Sequence, residues 1–196
     1  MQNQTFQNFT WVVLDDCADR SPKPERCDIH ICPDWVWQGE NTQSKSMIRL
    51  LQEVPEGETV VICEDDDFYS QDYLELMNYY LIDNDCVGQK DSIYFNIKNN
   101  TFRKFLGKDH SCMCSTGFKS HLIPHMIDIC TRYKSNLDVY FWRFGEFKKH
   151  LMKEVSVIGI KGQKGRAGIG IGHTMTGTKG KLSDFIGQNE HFYNCG

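Results

Sequence analysis

The stretch VVICEDDDFY, residues 60–69, places four consecutive carboxylates, Glu64, Asp65, Asp66 and Asp67, directly behind the apolar run Val60, Val61, Ile62 and Cys63. The apolar run reads as a buried strand, and in an open α/β sheet ligands sit at the carboxyl ends of strands. Like charges so close together repel and raise one another's pKa, a conflict that a bound cation resolves. Hard oxygen ligands suit Mg2+ or Mn2+, which complete their shells with water and substrate phosphates, so the pattern predicts a metal and a diphosphate-bearing substrate. The bland alternative stays open: solvated loop acids, with Ser70 and Asp72 capping the helix that follows.

Working outward, residues 11–16 (WVVLDD) and 27–33 (CDIHICP) read as two further strands. Between the second of these and the acid-ended strand, residues 41–54 put Met47, Ile48, Leu50, Leu51 and Val54 at helical spacing, closed by Pro55 and Gly57. A helix is predicted from Ser70 onward, with Leu74, Met77, Tyr80 and Leu81 on one face. Residues 92–106 alternate around Asn99 and Asn100, a β-hairpin pattern. Helices are expected over 119–133, with Pro124 near the start, and over 137–151, then a strand over 155–162 (VSVIGIKG). The glycine-rich residues 161–181 read as loop or irregular strand. With no internal repeat or low-complexity linker, the expectation is one α/β domain over residues 1–196.

Composition agrees with a globular protein: 40% hydrophobic and 24% charged residues in a chain of 196. The formal net charge of −4 excludes a surface that is basic throughout, though not a local basic stripe. No apolar run approaches the roughly 20 residues of a membrane-spanning helix, so no integral membrane segment is expected. The N-terminus lacks the basic and apolar regions of a signal peptide, and a cytoplasmic location is expected, the host cytoplasm if the protein is viral. Nine cysteines, an odd number without C-x-x-C spacing, read as reduced structural thiols. A zinc site of Cys27, His30 and Cys32 would need residues that a strand throws to opposite faces.

Two motifs in order, NQTFQNFTWVVLDDCAD (3–19) and CEDDDFYSQDYL (63–74), resemble those of nucleotide-sugar-dependent glycosyltransferases of the GT-A fold, in particular the inverting Asp-x-Asp enzymes. The resemblance implies a GT-A-like, Rossmann-type mixed sheet flanked by helices. It implies a nucleoside-diphosphate sugar donor, UDP-linked by preference, and Mn2+ or Mg2+ as cofactor. Asp16, with Asp15 beside it, would accept hydrogen bonds from the base, and Lys45 would contact the nucleotide. Asp65 would touch the ribose, and Asp66 would bind the metal with Asp67 or Glu64 assisting. Ser115, Thr116 and Gly117 would line the donor sugar. Asp138, ahead of an aromatic-rich helix, would be the catalytic base that takes the acceptor hydroxyl's proton as it attacks the anomeric carbon with inversion. His173, framed by glycines and by Lys161, Lys164, Arg166, Lys179 and Lys181, would complete the metal shell or hold the diphosphate.

The family ordinarily opens with a strand, loop and helix ahead of the Gln-Thr stretch, whereas this sequence begins at that stretch, so the usual first strand is expected to be lacking. The strand over 155–162 is a conceivable substitute in the central sheet. The acceptor would be a glycan or a lipid-linked sugar, as is commonest in the family; the alternative is DNA carrying a hydroxymethylated pyrimidine of the kind bacterial viruses modify, whose phosphates the basic, glycine-rich tail could follow. A non-catalytic GT-A-like binding module is the alternative from another class. A metal-dependent nucleotidyltransferase would want a glycine-rich phosphate loop near the N-terminus, which is not present.

Overall fold

The hydrophobic pattern is realised most faithfully in the first half of the chain. In the computed structural model, which describes residues 1–19, 22–163 and 176–193, the first two strands are β1 (Val12–Leu14) and β2 (Ile29–Ile31), paired parallel. Helix α1 (Gln43–Leu51) follows and buries Met47 and Leu51, which its four-residue spacing brings to one face. Next come β3 (Thr59–Val61), the acidic loop, β4 (Phe68–Tyr69) and α2 (Tyr73–Leu81).

The start of α2 differs from the capping expected at Ser70. The N-cap position is Asp72, and the Ser70 hydroxyl instead donates to the Asp72 carboxylate at 2.6 Å. The orphan Leu74 N–H is satisfied from far away by Gln4, whose Oε1 accepts it at 2.9 Å while Nε2 donates to the Ser70 carbonyl at 2.7 Å. Gln4 is buried, so the Gln-Thr stretch is used here as a clamp on α2.

The second half departs further from expectation. The hairpin forms as β6 (Ser92–Asn96) and β7 (Thr101–Phe105), with Asn100 left-handed at φ 50°, a conformation asparagine tolerates. It is preceded by β5 (Cys86–Gln89) and followed by β8 (Thr116–Lys119) and α3 (Ile123–Arg132), which carries proline in its first turn. The helix expected over 137–151 is only α4 (Leu137–Phe144); the chain turns at Gly145 and continues as β9 (Lys149–Met152). A Cβ at Gly145 would stand 1.7 Å from the Phe147 ring, so the close approach that ends the helix requires glycine there. Then come β10 (Val157–Lys161), β11 (Thr178–Lys179) and α5 (Ser183–Ile186).

The class is mixed α/β, but the described strands form three sheets rather than one: β1-β2, β3-β8-β5-β9 and β11-β7-β6-β10-β4. In the four-stranded sheet β8 is antiparallel to β3 and β5, while β5 and β9 are parallel. Strand β10 lies between β6 and β4 in the five-stranded sheet, so it does not take the central position proposed for residues 155–162.

Side-chain alternation along β5 sends Cys86 and Val87 into different cores. Cys86 joins Phe118, Met126, Ile129, Phe141 and Trp142 under α1, α3 and α4, and Val87 joins Tyr73, Met77 and Leu81 of α2. Phe95 and Ile160 form a third core with Leu182 and Ile186. The acidic loop links β3 of one sheet to β4 at the edge of the other, so the carboxylates lie on the seam between two sheets. No described helix is long and apolar enough to cross a membrane.

Candidate functional site

Beyond β3, Ile62 N–H still bonds the Thr116 carbonyl at 3.0 Å, after which the chain leaves the sheet. Tyr69 pins the departing loop: its hydroxyl accepts the Glu64 N–H at 2.7 Å and donates to the Cys114 carbonyl at 3.1 Å. The acids then converge on Lys161, which projects from the end of β10. Its Nζ lies 2.9 Å from Asp67 Oδ1, 3.3 Å from Asp66 Oδ2 and 3.8 Å from Glu64 Oε2. Asp67 Oδ1 also accepts the Ile160 N–H at 3.0 Å, while Oδ2 of the same buried carboxylate has no hydrogen-bond partner among the described residues. Gln163 donates to the Asp66 carbonyl at 2.8 Å and Tyr193 to the Asp67 carbonyl at 3.1 Å, so the loop is held from the C-terminal side of the chain.

Among the described residues three carboxylates share one ammonium, and the proton affinities reflect that excess of negative charge. Burial raises the Asp67 pKa, Asp66 adds to the rise, and Lys161 opposes it. Glu64 is likewise raised, by burial first and then by Asp67, again against Lys161. For Lys161 burial pulls the pKa down, but Asp67, Glu64 and Asp66 outweigh it, and the ammonium is held charged.

Cys114 lies beside the acids, and Cys112 lies beside Cys114. Ligand atoms of Glu64, Asp67 and Cys114 come within 4.8 Å of one another, a group that could hold a metal ion. Cys112 Sγ is 3.4 Å from Cys114 Sγ, 3.0 Å from Ser115 Oγ and 3.3 Å from Ser92 Oγ. These hydrogen bonds, the Cys114 one first, lower the Cys112 pKa to about 6 in spite of burial. The C-x-C spacing was legible in the sequence, but its place beside the acids was not.

The expected nucleotide contacts are distributed unevenly. At the end of β1, Asp15 Oδ1 accepts the Cys17 N–H at 3.0 Å and Oδ2 lies 4.0 Å from His30 Nε2. The Asp16 carbonyl accepts the Trp37 N–H at 2.6 Å, and its buried Oδ2 has no hydrogen-bond partner among the described residues. Helix α1 connects the two regions, contacting β1 while its first residue, Gln43, reaches Glu64 at 3.4 Å. Asp65 is the exposed member of the acid run. Lys45 is paired with Glu40 at 3.1 Å and lies over the Trp35 ring at 5.2 Å, the arrangement of a surface lysine.

The expected sugar-lining loop is corrected. Ser115, Thr116 and Gly117 are fully interior. Ser115 Oγ is 2.9 Å from Ser111 Oγ, and Thr116 Oγ1 donates to the Cys112 carbonyl at 2.8 Å and accepts the Trp142 indole N–H at 3.0 Å. Gly117 sits under α2, where a Cβ would approach Met77 Cε to 2.6 Å. These residues pack the sheet and line no open surface.

Asp138 stands in the first turn of α4, its Oδ1 accepting the Val139 N–H at 2.9 Å. Burial raises its pKa, against that hydrogen bond and the nearby His110. His173, Lys164 and Arg166 lie outside the described residues. Of the other basic residues, Lys179 donates to the Asn99 carbonyl at 2.8 Å, and the Lys181 N–H donates to Asp184 at 3.3 Å. The zinc alternative at Cys27 fails: the Cys27 thiol is buried and bonds the Ile29 carbonyl at 2.9 Å, whereas Cys32 is exposed.

Compared with known proteins, the chain matches no family model and no curated protein.

Proposed function

We propose that the protein is a divalent-metal-dependent glycosyltransferase that moves a sugar from a nucleoside-diphosphate donor to an acceptor hydroxyl. The observation that carries this reading is the convergence, beyond the end of β3, of Glu64, Asp66 and Asp67 on Lys161, with one buried carboxylate oxygen of Asp67 lacking a hydrogen-bond partner among the described residues. Such a site attracts a cation, and its oxygen donors fit Mg2+ or Mn2+. Asp66, with Asp67, would hold the ion, which when bound would supply charge neutralisation for a departing diphosphate.

The chain's own groups serve the other needs of the reaction. Asp16 Oδ2 offers an unsatisfied acceptor to the imide N–H of a uracil-type base. Lys161, fixed in its charged form, supplies positive charge at the rim. Asp138, with a raised proton affinity, would take the acceptor hydroxyl's proton, and the resulting attack on the anomeric carbon inverts its configuration. Glycan, lipid-linked sugar and hydroxymethylated DNA all present a suitable hydroxyl.

A second reading has its own support: Lys161 already neutralises part of the charge that a metal would meet, as expected of an ion-pair cluster in a non-catalytic binding module. One experiment separates the two. The protein is incubated with labelled nucleoside-diphosphate sugars with and without Mn2+, and nucleotide binding is followed by thermal shift. The enzyme reading expects Mn2+-dependent release of nucleoside diphosphate, lost in Asp66→Asn together with donor binding. In Asp138→Asn donor binding persists and transfer falls by about 10²–10⁴-fold. No thermal shift with any nucleoside diphosphate and Mn2+ overturns the reading.

A further inference from the structure

The oxygen-only site of the preceding proposal leaves two thiols unexplained. Cys114 stands with Glu64 and Asp67, and Cys112 Sγ lies 3.4 Å from its sulfur. We propose that Cys112, Cys114, Asp67 and Glu64 form a second cation site, for a borderline divalent ion of the zinc type, which shares Asp67 with the oxygen-bound ion of the preceding proposal.

Geometry supplies the first argument. The ligand atoms of Glu64, Asp67 and Cys114 already lie within 4.8 Å of one another. Zn–S bonds of about 2.3 Å in a tetrahedron set two sulfurs roughly 3.8 Å apart, close to the separation of the two thiols. The second argument is the carboxylate itself: Asp67 is 6% exposed, and its Oδ2 has no hydrogen bond of regular geometry among the described residues, although the Cys114 thiol interacts with the carboxylate. Its sister oxygen is fully engaged by Lys161 and the Ile160 N–H, so the carboxylate cannot turn to satisfy Oδ2 without breaking two bonds. An ion at Oδ2 would satisfy it and leave both bonds in place.

Ligand chemistry then selects the ion. Thiolates bind zinc-type ions far better than Mg2+, so two sulfurs in the set separate this site from the outward-facing acids. Outer hydrogen bonds that orient such ligands are already built: Ser115 Oγ and Ser92 Oγ sit 3.0 and 3.3 Å from Cys112 Sγ, and Tyr69 ties the backbones of Glu64 and Cys114 together. On binding, the two thiol protons pass to solvent and no bond other than S–H is broken.

The test uses the full chain, reduced and stripped with a chelator, titrated with Co2+ and then Zn2+ without oxygen. The expected result is one equivalent of cobalt with a thiolate-to-metal charge-transfer band, displaced by Zn2+ and untouched by millimolar Mg2+. Alkylation of Cys112 and Cys114, mapped by mass spectrometry on the unmutated protein, should slow at least about tenfold with Zn2+. Cys112→Ser and Cys114→Ser should each weaken cobalt binding at least about tenfold, the loss typical of a removed ligand or its partner. Asp128→Asn, at an exposed ion pair on α3, should bind cobalt as the parent does. Absence of the charge-transfer band, its survival in the Cys112→Ser/Cys114→Ser double variant, or a Cys112–Cys114 disulfide whose reduction restores no metal uptake overturns the proposal. Because no nucleotide is used, the outcome is separate from that of the transferase reading.

Discussion

Two loops of this protein leave a strand through adjacent acids, and they are held in opposite ways. The loop after β3 is fastened from remote parts of the chain: Lys161 and Ile160 grip Asp67, Tyr193 and Gln163 hold the backbone, and Gln4 clamps the helix that follows. The loop after β1 is held mainly from nearby, by His30 at 4.0 Å from Asp15 and by the Trp37 N–H on the Asp16 carbonyl. Buried, long-range fastening fixes carboxylates where they repel one another, which is what a cation site requires. Local fastening leaves the Asp16 carboxylate oxygen Oδ2 without a hydrogen-bond partner among the described residues.

The largest effect should come from breaking the grip on the β3 loop. Asp67→Ala leaves the Lys161 ammonium buried without its closest partner and should cost about 3–5 kcal/mol of unfolding free energy, measured by urea titration. Adding Lys161→Met should recover part of that loss, and a cost no greater than that of Asp15→Ala would erase the contrast between the loops.

Gln4→Ala removes the acceptor from Leu74 N–H and the donor to Ser70, and should cost about 1–2 kcal/mol. Amide hydrogen exchange should speed up in the first turn of α2 and not in α1.

Glu64→Gln sharpens the electrostatic side. Glu64 has a folded pKa raised above its unfolded value, so its contribution is fully present below the unfolded pKa and is lost as pH rises through the folded one. The glutamine variant escapes that loss and should gain relative stability as the pH is raised from acid to alkaline. With 35% of the side chain exposed, solvent screening limits the gain to about 1 kcal/mol or less. A relative gain toward acid pH would show that Lys161 dominates the site.

Smallest should be Lys45→Ala, within about 0.5 kcal/mol, because its pairing with Glu40 is at the surface. Donor binding, read by thermal shift, should be unchanged, since the cation of the site is Lys161.

Local pattern and burial agree in the first half of the chain and in the hairpin. Met47 and Leu51 four residues apart specify the buried face of α1, and alternation around Asn99 and Asn100 specifies the β6–β7 hairpin. Elsewhere packing overrides pattern. Residues 145–151 have helix-like composition, yet the Gly145–Phe147 contact turns them into β9, which pairs with β5. The small residues Ser115, Thr116 and Gly117 look like a loop fit for a ligand, but smallness served the close packing of β8 under α2 and against Trp142.

By itself the sequence determined the mixed α/β class, the order of the early elements and the placing of an acid run at a strand end, because these follow from periodicity and from charges adjacent in the chain. Only the tertiary structure decided that the strands divide into three sheets, that Lys161, 94 residues from Asp67, is the cation among the acids, and that Cys112 and Cys114 lie beneath them. A strand pattern specifies which face is buried but not which strand lies beside it, so partners brought together across a seam between sheets leave no trace in local spacing.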